Sequence, residues 1–318
     1  MTAIDKDSVG KISIVVLTYK RTADLAQLLP MLDRQLEDFD EDFEIVVVDN
    51  DPGASAEPVV AEHGSTIVRY VNEPAPGIAH ARNRALDETR GSDLLIFIDD
   101  DERPLDSWLG AMLTAYRRSR PAGVTGPLYP DYETDPDPWL VAGGFFVRKE
   151  YPEGHLMPAA GTGNLLLDLE QVRAHDLRFD ERFGTTGGSD TLFTRTLIDR
   201  GGRIVWSSAA GLVDKVPAQR LTRKWVLNRQ YRFGNTWSRT SLELVDPGPR
   251  RLATRARLTV TGGSRFGFGL LRRAYGSVTK SMEHQARGAR AIRRGMGMVS
   301  GAWGSAYEEY RRPAKGPA

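Results

Sequence analysis

The sequence predicts an α/β fold with a mostly parallel central sheet, and two observations carry that expectation. From residue 11 to residue 206, short Val-, Ile- and Leu-rich runs alternate with stretches of helical periodicity, the pattern of repeated βαβ units. The runs are apolar throughout rather than alternating, as in strands covered on both faces. Polar residues then follow three of these runs directly, at Thr18-Tyr19, Asp49-Asn50 and Asp99-Asp100-Asp101. Because each set follows its strand, all three should meet at one sheet edge, where open α/β sheets bind ligands.

In chain order, residues 11–18 (KISIVVLT) make a first strand that ends in Tyr19, Lys20 and Arg21. Thr22 or Asp24 starts a helix through LAQLLPMLDRQL, where Pro30 predicts a kink or a late first turn. A second buried strand, 43–48, turns at Asp49 to Gly53. It is followed by a helix near 56–63, a short strand at 66–71, a loop at 72–77 and a helix from 78 to about 89. Residues 94–98 are the next strand. A helix capped by Asp106 or Ser107 runs to about 116, and 122–127 is a strand. Residues 128–160, rich in Pro, Asp and aromatics, read as a long irregular segment. A strand at 161–167 and a short helix at 169–175 precede a glycine pair that sets Asp190 at the start of an amphipathic helix. Residues 203–206 are a further strand. Within 212–234 a basic helix carries Arg220, Arg223, Lys224, Arg229 and Arg232.

Composition bounds the function classes. The 318 residues suffice for one large α/β domain with an extension, or for two domains. There is no cysteine, hence no disulfide framework and no thiolate metal site. The opening MTAIDKDSVGK lacks an apolar signal core, so no secretion signal is expected, and no run approaches the ~18 apolar residues of a membrane span. A cytoplasmic protein follows as the expectation. The net charge of +1 hides an asymmetry: residues 250–318 hold 15 Lys and Arg against 3 Glu and no Asp, and the remainder holds 28 basic against 39 acidic residues. Segments such as GFGLLRRAYGSVTKSM in this tail could form basic amphipathic helices that lie on an anionic membrane surface or pack against the catalytic domain. With no nucleic-acid motif and an acidic remainder, nucleic acid is not the expected partner.

The chemistry concentrates in FIDDDERP. Three consecutive carboxylates repel one another, and a hard divalent ion such as Mg²⁺ or Mn²⁺ with oxygen ligands would relieve them; a solvated acidic turn is the plain alternative. Asp190 is either an ordinary helix cap or a carboxylate poised at a helix N-terminus. The basic residues at 220–232 are a solvated face or a diphosphate and acceptor clamp. Neither GxGxxG nor GxxxxGK[ST] follows the first strand, which counts against dinucleotide enzymes and P-loop nucleotidases.

Taken together and in order, IVVLTYKR, VVVDN, GIAHARNRAL, FIDDDERP and RFDERFGTTGGSDTLF resemble the family 2 inverting glycosyltransferases of the GT-A fold, over about residues 11–234. The resemblance implies a GT-A domain over 1–240 and a basic, mostly helical extension over 241–318. It implies Thr18, Tyr19, Arg21, Asp49, Arg82, Asp99 and Asp100 at the donor nucleotide, and Asp101 of the DxD motif at a Mg²⁺ or Mn²⁺ ion. Asp190 would be the catalytic base, and Trp139, Gly188, Arg220 and Arg229 the acceptor or diphosphate contacts. Two departures stand out: Ser189 occupies a position where the family usually has Glu, and Asp214 stands near a place where many relatives have a metal-contacting His. The implied reaction moves a sugar from a nucleotide-diphosphate sugar, UDP-linked by family preference, to an acceptor hydroxyl with inversion. Acceptors in polysaccharide or glycolipid biosynthesis fit (a glycan, a lipid-linked carrier or a small molecule), at the inner face of the cell membrane. The alternative from another class is a catalytically silent scaffold that binds a sugar nucleotide or glycan there.

Overall fold

Each apolar run becomes a strand in the computed structural model, which describes residues 9–184 and 186–306. The first half contains β1 (Ile12–Thr18), α1 (Thr22–Leu36), β2 (Phe43–Asp49), α2 (Glu57–His63), β3 (Val68–Asn72), α3 (Ile78–Glu88), β4 (Leu94–Asp99), β5 (Glu102–Pro104) and α4 (Trp108–Ser119). Next come β6 (Gly123–Thr125), β7 (Leu128–Tyr132), α5 (Pro138–Gly143), β8 (Asn164–Asp168), α6 (Leu169–Ala174), α7 (Ser189–Asp199), β9 (Ile204–Trp206) and β10 (Leu212–Val216). Three helices follow: α8 (Arg223–Glu243), α9 (Pro249–Val278) and α10 (Met282–Ala302).

The chain divides into two compact units. The first comprises 9–129, Arg148–Gly184 and Ser189–Asp214; the second comprises Pro130–Val147, 186–188 and 215–306. The boundary expected at 240 therefore falls inside α8, which belongs with the later helices.

In the first unit seven strands pair in the order β3-β2-β1-β4-β8-β6-β9. The sheet is mostly parallel, as expected; only β8 runs antiparallel to its neighbours, β4 and β6. Successive side chains of β1 point to opposite faces and both faces are covered. Ile14 and Val16 pack with Leu25, Leu28, Leu29 and Leu32 of α1 and with Trp108 and Met112 of α4. Val15 and Leu17 pack with Ala79, Ala81 and Ala85 of α3 and with Phe193 and Leu197 of α7. Burying that many leucines in α1 carries the helix through Pro30, which lies inside it rather than ending it. The register sets Thr18 beside Asp49, Asp49 beside Asn72 and Leu17 beside Asp99, so the polar strand ends do share one edge.

Two stretches differ from expectation. The segment 128–160 is not irregular throughout: it holds β7 and α5, the latter capped by Asp137, whose side chain accepts from the Trp139 N–H. The basic stretch beginning at 212 is first a strand, β10, then a single 3-10 turn at Ala218–Arg220, and becomes α-helical only at Arg223, where Thr222 caps α8 through the Trp225 N–H. β10 pairs antiparallel with β5, setting Asp214 opposite Glu102.

In the second unit α8 and α10 run parallel, with α9 antiparallel to both, and they meet through glycines. A Cβ on Gly262 would lie 2.9 Å from the Gly295 carbonyl oxygen, and one on Gly269 would lie 2.9 Å from that of Gly288. A Cβ on Gly297 would overlap the Tyr231 carbonyl, and one on Gly234 the Arg294 carbonyl. Trp139, Leu140, Phe145 and Phe146 form an apolar cluster with Val226 of α8 and with Ala286 and Ala289 of α10. No helix among the described residues is long and apolar enough to cross a membrane.

Candidate functional site

At the carboxyl edge of β1, Thr18 Oγ1 donates to Asp100 Oδ2 at 2.8 Å, and Arg21 Nη1 donates to Asp100 Oδ1 at 3.0 Å. Arg21 also pairs with Asp101. Burial works against the Arg21 charge, but Asp101 and Asp100 outweigh it and raise its pKa. Three residues expected at the nucleotide are thus brought together, with Asp100 as their buried hub. Tyr19 stays exposed, its ring under Lys20.

Asp49 is turned inward. It is 0% exposed, with Oδ1 accepting from the Asp51 N–H and Oδ2 from the Ala56 N–H and the Tyr70 hydroxyl. Its carboxylate holds the turn after β2, while Asp51, two residues on, pairs with Lys20. Asn50 binds the Glu73 and Ala75 carbonyls and accepts from Gly77 N–H, fixing the loop ahead of α3.

The acidic turn itself is braced by Arg103, which donates to the carbonyls of Asp100, Glu102 and Asp24. Asp99 N–H donates to Glu102 Oε2 at 3.0 Å. Gly163 faces this pair: a Cβ there would sit 2.6 Å from Glu102 Oε1 and 3.0 Å from Asp99 Oδ2. Burial, then the charge of Asp101, pushes the Asp99 carboxyl up to about 7, against the pull of Arg82. Burial also lifts Asp100 to about 6, with Arg21 opposing. Glu102 is held well above the usual carboxylate range by burial and then by Asp99, with a further push from Asp214. Asp214 pairs with Arg148 at 3.2 Å.

The donor set is all oxygen, as a hard divalent cation prefers. Among the described residues, no three carboxylates or histidines are gathered to hold an ion as they stand. That arrangement suits a cation bound through one or two carboxylates together with substrate phosphates, the usual manner of Mg²⁺. The mutually raised carboxylates are the observation that fits such an ion.

Across the edge, α3 meets the N-terminus of α7. Arg82 Nη1 donates to Ser189 Oγ at 2.7 Å, and its Nη2 lies 3.9 Å from Asp190 Oδ2. The Arg82 guanidinium rests 5.6 Å over the Phe179 ring, and its buried Nε has no hydrogen-bond partner among the described residues. Asp190 Oδ1 accepts from the Thr191 N–H, and Oδ2 is directed towards Gly161. Ser189, fully buried, therefore holds Arg82 from the position where Glu is usual. Asn83 clamps the Phe179 backbone in both directions. Gly187 and Gly188, with φ of 73° and 101°, take the left-handed conformations that glycine permits just before α7.

Trp139, Arg220 and Arg229 belong to the second unit. Trp139 is buried, stacked on Phe145 at 5.1 Å and covered by Arg223, so its ring is a core contact rather than an open stacking platform. Arg229 lies 5.3 Å over Trp225 and 5.2 Å over Phe233, and Arg220 lies 5.8 Å over Trp225. Glu102, Arg148 and the Ser189 contact are the parts that sequence reasoning missed. Glu102 had a visible signal, since it directly continues the Asp run.

Residues 13–167 match the family described as glycosyl transferase family 2. That segment includes Thr18, Arg82 and the whole acidic turn. The succinoglycan biosynthesis protein ExoM of Rhizobium meliloti (strain 1021) is 31% identical over 236 residues, covering 73% of this chain and 75% of that protein. The uncharacterized glycosyltransferase YwdF of Bacillus subtilis (strain 168) is 37% identical over 92 residues, 29% of this chain and 33% of that one. The mostly parallel sheet with flanking helices is the GT-A arrangement expected above. On the extent of the match to ExoM and the family segment that spans the carboxylate edge, the chain is a glycosyltransferase and belongs to glycosyl transferase family 2.

Proposed function

We propose that the chain transfers a sugar from a nucleotide-diphosphate sugar, with UDP as the favoured nucleotide, to an acceptor hydroxyl with inversion at the anomeric carbon. One observation carries the reading. A single guanidinium, Arg82, lies 3.9 Å from Asp190 and also pulls the pKa of Asp99 down against burial. The acidic strand edge and the carboxylate of α7 are thereby linked through one cation within one unit. The buried, unpartnered Nε of Arg82 adds a donor suited to an oxygen-rich substrate.

In the proposed reaction Asp190 accepts the proton of the acceptor hydroxyl as that oxygen attacks the anomeric carbon. The bond from that carbon to the diphosphate oxygen breaks, and its electron pair leaves with the nucleoside diphosphate. Ser189 and Phe179 fix the guanidinium of Arg82 beside Asp190, the group that takes the proton. Asp101, with Asp99 and Asp214 close by in charge, would hold a Mg²⁺ or Mn²⁺ ion, which supplies charge neutralisation for the departing diphosphate. Thr18 and Arg21 hold Asp100 and so shape the turn that presents these carboxylates. The relative ExoM is named for succinoglycan biosynthesis, which supports an acceptor in polysaccharide synthesis, whether a growing glycan or its lipid-linked carrier.

A thermal-shift screen of nucleotide sugars with Mn²⁺, followed by an assay for released nucleoside diphosphate, tests this. A donor at 100 times its Kd should stabilise the protein by about 2.7 kcal/mol, and released diphosphate should appear with acceptor. Stabilisation without release would favour a silent sugar-nucleotide scaffold. No stabilisation by any nucleotide sugar would remove the donor class.

A further inference from the structure

We propose that the outward face of α9 is a docking surface for an anionic lipid bilayer, on which the helix lies in the plane of the membrane. The proposal concerns the second unit alone and does not depend on the transfer chemistry.

α9 spends one narrow stripe on its neighbours. Gly262, Gly269 and Gly276, seven residues apart, make the close approach to α10, and with Leu258 they are its buried positions. At 100° per residue, Val260, Leu271 and Val278 fall within about 25° of the opposite direction, and Tyr275 and Phe268 lie on one flank, about 65° and 85° away. These five are 58–84% exposed and extend over roughly 27 Å of helix. A contiguous apolar face of that length on a soluble surface marks an interaction site, whereas scattered single residues would not. Val278 and Leu271, at 84% and 73%, carry no partner-facing role within the helix bundle.

Charge selects the occupant. α9 contains seven Arg and no Asp or Glu. Exposed Arg257 flanks the apolar face on the side of Tyr275 and Phe268, and exposed Arg265 lies about 80° further round the helix, towards α10. A second copy docking through this same face would bring two arginine-rich helices together with no acidic counterpart, which electrostatics opposes. An anionic bilayer instead supplies phosphates for the arginines and an acyl boundary for Phe268, Leu271 and Val278, and long guanidinium stems can reach back to the headgroups. The helix meets the pattern of an interfacial segment, with its apolar face sideways, and no helix among the described residues is apolar enough to cross.

Flotation of the full chain on vesicles tests the proposal, with phosphatidylcholine alone compared with phosphatidylcholine plus phosphatidylglycerol. The wild type should float with the anionic vesicles and not with the neutral ones, and added salt should weaken it. The double variant Phe268→Glu, Leu271→Glu should lose flotation while its circular dichroism and nucleoside-diphosphate release with a soluble acceptor stay at wild-type level. Arg257→Gln should weaken binding about fivefold. Equal flotation of the double variant, or no flotation of the wild type on anionic vesicles, overturns the assignment. Sedimentation that shows a wild-type dimer converted to monomer by Leu271→Glu, without vesicle binding, would assign the face to a second copy and likewise overturn it.

Discussion

The acidic edge of the first unit and the glycine seams of the second bring groups into close approach in opposite ways. At the edge, Asp99, Asp100, Asp101 and Glu102 are crowded, and burial with mutual repulsion raises the pKa values of three of them, Asp99, Asp100 and Glu102, above the ordinary carboxylate range. In the seams the helices approach because nothing projects between them: Gly297 lies against the Tyr231 carbonyl, and Gly262 against that of Gly295. Each helical glycine gives up about 0.8–1 kcal/mol relative to alanine, which the backbone packing offsets. The edge stores unfavourable electrostatics that a ligand can relieve; the seams store none. Removing a group at the edge should therefore harm chemistry and spare or improve stability, while adding a group at a seam should do the reverse.

The largest effect that sharpens this contrast is Asp190→Asn. A base contributes typically ~10²–10⁴ in rate, so turnover should fall by about that factor, with the urea midpoint and nucleotide-sugar affinity unchanged. Turnover at the wild-type rate would end the base assignment. Next comes Gly297→Leu, which forces a branched side chain into the Tyr231 carbonyl. Overpacking against backbone, which cannot swing aside as a side chain can, should cost about 3 kcal/mol in urea unfolding. The same helices supply the control. A Cβ on Gly263 meets nothing within 4 Å, so Gly263→Ala should stabilise by about 0.5–1 kcal/mol. Destabilisation by both substitutions would mean that the seam is not what distinguishes them.

Legibility followed locality. The strands were readable because parallel strands are apolar along their whole length, and the acidic turn because its carboxylates are consecutive. What the sequence did not show was set by partners distant in sequence. Ser189 meets Arg82 across 107 residues, so a departure from the usual Glu could be seen but not its contact. Trp139, in a Pro- and Asp-rich stretch, fits either a sugar-stacking ring or a pin to the core, and the Phe145 and distant Ala286 that bury it are not visible from the stretch itself. Asp49 follows its strand as Asp99 does, but a sequence does not tell which carboxylate will turn inward to hold backbone N–H groups. The seven-residue spacing of Gly262, Gly269 and Gly276 was visible throughout; the arginines between them suggest an amphipathic helix and hide a packing seam.

The smallest effect separates the edge from ordinary ion pairs by pH. Asp87 is lowered, chiefly by its hydrogen bond to Arg178, and Glu88 is lowered by Arg69 and Arg84 against the opposing effect of burial. Both contribute stability that is complete above the unfolded carboxyl pKa and lost only as pH falls below about 4. Asp99 and Asp100 act in the other sense: their folded values of about 7 and about 6 lie above the unfolded value of 3.8. Between pH 4 and 7 the folded chain therefore holds more protons than the unfolded chain, and stability falls as pH rises through that window. In EDTA, the urea midpoint should decline from pH 4.5 to pH 7.5, and Asp99→Asn should flatten the decline and raise the midpoint at pH 7.5. Mn²⁺ should flatten it in the wild type as well, because a bound cation favours the ionised carboxylates. A midpoint that instead rises across that window would place the stability of the edge with the ion pairs of Arg21 and not with the repulsion among the acids.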